Sequence, residues 1–222
     1  MKKCDKLNQY LADIKFISIP NVNSVADCLF VKKLTNGLFL FLGVIFSKYE
    51  KGKFTGNFYL SKVTIFSAVW DDIPPNSYKR VSIFLKEEER SLFLHEDYCK
   101  KGMVDGWWNI DYNDSIMNFK NAVNLVETRF LNQDNLFESI QNSVELRNLD
   151  ELSENVIIKI IGSKGDEDKL LDVIKNKINS KWFEVAKSVL SHAGENVTEP
   201  LIKRLASDAW RKTFIRKSIE NI

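Results

Sequence analysis

The spacing of hydrophobic residues changes near residue 25, and the change separates a helical start from a strand-rich stretch. Leu7, Tyr10, Leu11 and Ile14 recur three or four residues apart, which predicts an amphipathic helix over residues 3–17. From residue 25 onward the apolar residues instead form short runs bounded by turn residues, which is typical of strands.

Four short apolar runs predict an antiparallel meander of three or four strands. They occupy residues 25–31, 38–46, 54–60 and 63–66. Asn36-Gly37 between the first two runs is a strong hairpin signal. We expect the run 38–46 to be the central strand, because it is apolar almost throughout and must be covered on both faces.

The middle of the chain mixes strand and helix signals. Pro74-Pro75-Asn76-Ser77 breaks any regular element, and the alternation of Val81, Ile83 and Leu85 predicts one more strand. Residues 86–103 fit either a helix or a strand. Trp107-Trp108-Asn109-Ile110 predicts a short aromatic strand.

Helical spacing dominates the rest of the chain. Apolar residues from Ile116 to Phe130 predict a helix capped by Asn113 or Asp114, and a second helix follows over Phe137–Val144. After a short apolar run at 151–161 and a linker at 162–166, two further helices are predicted. The first runs from Leu171 to a stop at Gly194, and the second begins at Thr198 with Pro200 in its first turn.

These elements predict an α+β fold with a C-terminal helical hairpin. The antiparallel meander packs against helices in a domain covering residues 1–150, and residues 151–222 form a helical extension. No internal repeat is visible in the sequence.

Composition sets limits without indicating a chemistry. With 222 residues, 44% of them hydrophobic and 28% charged, the chain can form a substantial core. Nine Gly, four Pro and three Cys exclude a collagen, a low-complexity disordered chain and a disulfide scaffold. The net charge of +2 lies in the last 72 residues, because residues 1–150 hold 19 basic and 19 acidic side chains.

The three cysteines favour a reducing compartment. Cys4, Cys28 and Cys99 are an odd number without a CxxC pair, which argues against a disulfide framework. The basic N-terminus is interrupted by Asp13 and Lys15, unlike a signal peptide. The longest uncharged run, residues 34–47, is too short to span a bilayer. We therefore expect a soluble cytoplasmic protein with no membrane contact.

Candidate chemistry is sparse. His95, Asp97 and Cys99 share one face of a possible strand, but the second ligand pair of a structural zinc site is missing. Phosphate-binding glycine loops and the nucleophile elbow are absent from the sequence. Asp71-Asp72 and Glu87-Glu88-Glu89 are clustered carboxylates whose side chains diverge on a strand or a helix, which favours surface charge. The sequence therefore predicts no catalytic residue, no metal site and no cofactor.

Trp107 and Trp108 indicate a different kind of site. Adjacent strand residues face opposite ways, so one Trp is expected in the core and the other at least partly exposed. An exposed Trp beside Asp105 and Asp111 is typical of an anchor in a protein interface, and structural packing at a half-buried position is the competing interpretation.

The order of helix, meander, Trp-Trp pair and long helix resembles bacterial proteins of the DUF4304 type and related immunity-like proteins. The residues that carry the resemblance are the strands 37–46 and 54–66, Trp107-Trp108-Asn109-Ile110, and the helix 115–131. The resemblance covers roughly residues 1–145. It implies a non-enzymatic partner in bacterial conflict systems, and it supplies no catalytic residues.

The resulting hypothesis is a protein-binding protein, specifically an immunity protein that binds and neutralises a cognate toxin. The predicted binding surface consists of Trp70, Asp71, Asp72, Glu87, Glu88, Glu89 and Trp107.

Two alternatives remain open. One is a nucleic-acid-associated defence or regulatory protein that uses the basic final helix through Arg211, Lys212, Arg216 and Lys217, although a solvated helix face explains these residues as well. The other is a carboxylate-dependent hydrolase that uses the acidic clusters. The oligomeric state does not follow from the sequence.

Overall fold

The chain is an α+β protein in which an antiparallel meander packs against helices and a helical hairpin lies at the C-terminal end. The computed structural model describes residues 3–19, 26–64, 77–100, 103–162 and 177–220. Two compact units are present: Met1–Ser61 with Ile73–Ile140, and Lys62–Asp72 with Gln141–Ile222. The described residues 62–64 belong with the second unit, whereas the border expected from the sequence lies at residue 150.

The first unit is built on a sheet in which every described strand pair is antiparallel. Its strands are β1 (Ile17–Ile19), β2 (Cys28–Lys33), β3 (Phe39–Phe46), β4 (Lys53–Ser61), β5 (Tyr78–Arg80), β6 (Glu96–Lys100) and β7 (Met103–Asn109). Their order in the sheet is β1-β2-β3-β4-β7-β6, with β5 also pairing with β4. Phe39–Val44 is buried, which confirms the prediction of a central strand.

Among the described residues around this sheet there are four helices: α1 (Lys3–Leu11), α2 (Glu87–Phe93), α3 (Asn113–Leu131) and α4 (Leu136–Asn142). The helix predicted over Ile116–Phe130 is confirmed as α3, and its apolar side is fully buried.

Aromatic rings form the contact between α3 and the sheet. The ring centroid of Phe119 lies 5.0 Å from that of Phe54 and 4.8 Å from that of Trp108, both in edge-on geometry. Further along the helix, Phe130 lies 5.1 Å from Phe58. Such pairs stabilise beyond the area they bury, so this layer is the core of the unit.

Two predicted elements of the first unit are wrong. The helix expected over 3–17 ends at Leu11, and after a 3-10 turn Lys15 takes a left-handed conformation (φ 66°), so that residues 17–19 form β1 instead. The strand expected from Val81 to Leu85 is a 3-10 turn at 81–84. Short alternation does not distinguish these two conformations, and here a side-chain contact from Ser82 to the backbone of Gly106 accompanies the turn.

In its described residues, the second unit has three helices that pack against one another: α5 (Val144–Ile161), α6 (Ser180–His192) and α7 (Glu199–Glu220). The short apolar run expected at 151–161 is the second half of α5. The sequence predicts a helix from residue 171 onward. Residues 177–179 are not helical, because α6 begins at Ser180. Asn179 caps α6 by accepting the N–H of Lys181 at 3.0 Å; residues 171–176 lie outside the described ranges.

The two ends of the hairpin turn agree with the sequence. Gly194 follows α6 with the predicted left-handed conformation (φ 74°). Helix α7 begins directly after Thr198 and carries Pro200 in its first turn, as expected.

A disulfide joins Cys4 to Cys28, although the odd number of cysteines argues against a disulfide framework and favours a reducing compartment. The pairing attaches α1 to the first residue of β2. The two residues are 24 positions apart and meet only because α1 packs beside the sheet, so neither spacing nor a motif reveals the pair. Cys99 is the third cysteine that made the count odd.

A buried ionic network fixes α7 within the second unit. Lys212 is 1% exposed, and its Nζ donates to Ser153 Oγ at 2.6 Å, forms an ion pair with Asp150 and lies 3.5 Å from Asp208 Oδ2. Asp208 Oδ1 accepts the N–H of Thr64 at 2.6 Å and the Thr64 hydroxyl at 2.8 Å. The network therefore ties three parts of the unit that are far apart in sequence.

Removing the disulfide should lower the free energy of unfolding. The bond closes a loop of about 25 residues, for which chain entropy accounts for about 3.5 kcal/mol. We expect Cys4→Ser to lose about this much in urea unfolding, and the wild-type protein with a reductant to behave likewise. Cys99→Ser is the control. A reductant should still lower its stability in urea unfolding, as it does for the wild type. Equal stability of Cys4→Ser and the oxidised wild type would contradict the pairing.

Replacing the buried ammonium of Lys212 should destabilise the protein strongly. Lys212→Met leaves the buried carboxylate of Asp208 without its cation, and breaking one partner of a buried pair costs about 3–5 kcal/mol. Urea unfolding followed by circular dichroism measures the change. Lys203→Met is the matched control on the same helix: its ion pair with Glu199 is exposed, so its loss should leave the free energy of unfolding nearly unchanged. Similar losses in the two variants would contradict the buried network.

Candidate functional site

Helix α2 is held close to β7 because one strand position lacks a side chain. A Cβ on Gly106 would lie 2.6 Å from the Cβ of Ser82 and 2.7 Å from a methyl group of Leu94, so only glycine permits this approach. The indole Nε1–H of Trp108 donates to the carbonyl of Phe93, the last residue of α2, at 2.9 Å. These contacts place α2 on the same side of the sheet as α3.

A two-point contact then joins α2 to α3. The guanidinium of Arg129 donates to both carboxylate oxygens of Glu89, at 2.5 and 2.7 Å, and also to the carbonyl of Phe84 at 2.8 Å. Near the other end of α2, Asn118 Nδ2 donates to the carbonyl of Leu92 at 3.4 Å. The helices therefore run antiparallel and present a joint outer surface.

The basic and acidic residues in the middle of α3 are used to attach the helix to its neighbours. Lys120 forms an ion pair with Asp13 at 3.3 Å, and Glu127 forms one with Lys32 of β2 at 2.8 Å. Arg129 is engaged by Glu89, as described above. The charges thus lie along the flanks of α3 and not on its outward side.

The outward side of α3 carries no charged residue between Asp114 and its end. Met117, Asn121, Asn124, Leu125 and Thr128 are exposed there and recur three or four positions apart, which places them on one side of the helix.

Large apolar side chains extend this side onto the neighbouring segments. Leu92 on α2 is 69% exposed, and Tyr112 at the start of α3 is 57% exposed, while Met117 and Leu125 are 39% and 38% exposed. We call these four residues, together with Asn121, the α2–α3 face. Interface centres are depleted in charge and enriched in Met and aromatic residues, so the composition of this face is that of a protein contact.

The structure brings only part of the predicted binding surface together. Glu87 and Glu88 are exposed on α2 beside the α2–α3 face. Glu89 is not available to a partner in the same way, because its carboxylate is bound by Arg129. Trp70, Asp71 and Asp72 lie outside the described residues.

Trp107 is separated from the acidic residues. The expectation for the Trp pair is confirmed, because Trp108 is fully buried against Phe119 and Trp107 is half-buried. Adjacent strand residues point to opposite faces, so Trp107 points away from the face of the sheet that α2 and α3 cover. It does not extend the α2–α3 face.

The prediction that the four basic residues of the final helix form an exposed surface is wrong for two of them. Arg211 is fully buried and donates to the carbonyl of Thr64 at 2.6 Å, and Lys212 is the buried cation of the network in the second unit. Arg216 forms an ion pair with Glu154, and Lys217 is half-buried. The first two of these residues are neither a solvated face nor available to a phosphate group.

Metal-binding and membrane-spanning features are not found in the described part of the chain. No group of three or more His, Cys, Asp or Glu side chains is placed there to hold a metal ion. His95, from the weak cluster in the sequence, is exposed, with its ring centroid 5.5 Å from that of Tyr112. None of the described helices is both long and apolar enough to cross a membrane.

Comparisons with known proteins provide no identity. No family model matches the sequence, and neither the curated proteins nor the solved structures include a match.

Acid should weaken the contact between α2 and α3. Hydrogen bonds from Arg129, with a further one from the backbone of Lys86, lower the pKa of Glu89 from 4.5 to about 2. Because the folded state favours the carboxylate, this stabilisation is present above pH 4.5 and is lost as the pH falls toward 2. In urea unfolding, Glu89→Gln should be about 1 kcal/mol less stable than wild type at pH 7, and the difference should vanish near pH 2.

Glu88→Gln serves as the control for this pH dependence, because Glu88 is exposed on the same helix. Its stability should follow that of the wild type throughout the acid range. A Glu89→Gln deficit that stayed constant from pH 7 to pH 2 would contradict the assigned ion pair.

Proposed function

We propose that this chain is a non-enzymatic protein-binding protein that acts as an immunity protein, binding and neutralising a cognate toxin through the α2–α3 face. The observation that carries the proposal is the uncharged outer side of α3, continued by the exposed side chains of Leu92 and Tyr112.

The face is prepared for binding by the contacts beneath it. Its two helices are fixed to each other by the paired Arg129 and Glu89, and α3 is fixed to the sheet by its aromatic layer. A partner would therefore have to order only the exposed side chains and not the helices themselves. A preorganised surface loses less conformational entropy on association, which supports tight inhibition.

The choice of an immunity protein among binding proteins is supported by the resemblance of residues 1–145 to DUF4304-type and related immunity-like proteins. The resemblance implies a bacterial protein partner and no catalysis. A cytoplasmic location belongs to the same proposal, and the disulfide between Cys4 and Cys28 weighs against that location, because disulfides are rare in reducing compartments.

Placing a charge in the centre of the face should disrupt binding to the toxin. The probe for the toxin is the purified product of the reading frame next to the gene for this chain. Its binding to the protein is measured by titration calorimetry. We expect Leu92→Asp and Leu125→Asp each to weaken its affinity at least about tenfold, because a buried carboxylate lacks a partner in the complex. Leu92→Asp keeps the test informative if the less exposed Leu125 position impairs folding.

Tyr49→Asp is the matched control for these substitutions. Tyr49 lies in the turn between β3 and β4 of the same unit and is 96% exposed, so the fold should tolerate the change and binding should persist. If Leu92→Asp and Leu125→Asp both still bind the product of the neighbouring reading frame, the assignment of the face is overturned. Absence of any binding to wild type would overturn the proposed toxin partner.

A further inference from the structure

The charges at the border of the α2–α3 face have a predominant sign. Glu87 and Glu88 flank the face on α2, and Asp111 and Asp114 lie at the start of α3. All four are exposed, and none forms an ion pair within the described part of the chain. Because the two helices run antiparallel, these acids lie near both ends of the outer side of α3.

The basic residues of the same two helices do not balance this charge. Lys120 and Arg129 are committed to ion pairs with Asp13 and Glu89. Arg90 is half-buried, which leaves Lys86, just before α2, as the exposed cation of this segment. The face is therefore an uncharged centre with an acidic border, although residues 1–150 as a whole are neutral.

We propose that the α2–α3 face binds a partner whose contact surface is cationic, with an apolar centre surrounded by Lys or Arg side chains. The inference rests on the proposed protein-binding function and adds the charge of the partner. Complementary charge accelerates encounter and excludes wrong partners. A second copy of this chain would bring acidic border against acidic border, and nucleic acid would bring phosphates against it, so both are disfavoured occupants.

A selection experiment tests the charge without knowledge of the natural partner. The probe is a displayed library of amphipathic helical peptides with a fixed apolar stripe and random flanking positions. It is selected on the whole wild-type protein, and binders that also bind Leu92→Asp are discarded. We expect the remaining binders to be enriched at least about twofold in Lys and Arg over Asp and Glu, relative to the unselected library.

The interaction of one such binder should depend on charge and salt. Glu87→Lys combined with Glu88→Lys should weaken binding about tenfold in 50 mM salt, mainly through slower association, and much less in 500 mM salt. Glu195→Lys, an exposed reversal of the same sign between α6 and α7, is the control and should leave binding unchanged. Tyr112 and Met117 amide signals should shift in the wild-type complex.

The outcomes separate the two proposals. Face-dependent binders that are neutral or acidic would overturn the cationic partner while leaving the face in place. A selection that yields no face-dependent binder would overturn the face itself. Self-association that is detected by sedimentation and abolished by Leu92→Asp would show that the occupant is a second copy and would also overturn the inference.

Discussion

The first unit depends on the aromatic contact between α3 and β4. Phe119 lies over Gly56, where a Cβ would come within 2.7 Å of the ring, so the helix reaches this position only because the strand has no side chain there. The other attachments are made to the helix in turn: Asp13 through Lys120, β2 through Glu127, and α2 through Arg129. Moving α3 would therefore disturb every one of these contacts.

This arrangement also determines where a partner can bind. One side of α3 is buried on the sheet and its two flanks are held by ion pairs, so only the outer side remains. Charged residues normally favour such a side because they are well solvated. Here those residues are drawn to the flanks, and Met117, Asn121 and Leu125 are left facing solvent. The composition of the outer side is thus linked to how the helix is attached.

Local patterns in the sequence identified the elements that depend on local interactions. The periodicity from Ile116 to Phe130 predicted α3, and the apolar run at 38–46 predicted the central strand, because each pattern reports burial directly. The 3-10 turn at 81–84 was missed, since it is accompanied by contacts to Gly106 and Arg129 that are distant in sequence. The α2–α3 face was also missed, although a signal existed: the exposed positions of the predicted helix lacked charge.

The burial of Arg211 and Lys212 on the last helix is the feature that the sequence predicts least well. Arg211 and Lys212 look like surface residues in sequence, and their partners, Thr64, Asp150 and Ser153, lie about 60 to 150 positions earlier. No local window contains that information. A buried ion pair often contributes less stability than a well-packed apolar pair would, but an unmatched buried charge is very unfavourable. The network therefore acts by penalising any other register of α7, because a shift of one turn would separate Lys212 from Asp150 and Ser153, and Asp208 from Thr64, at once.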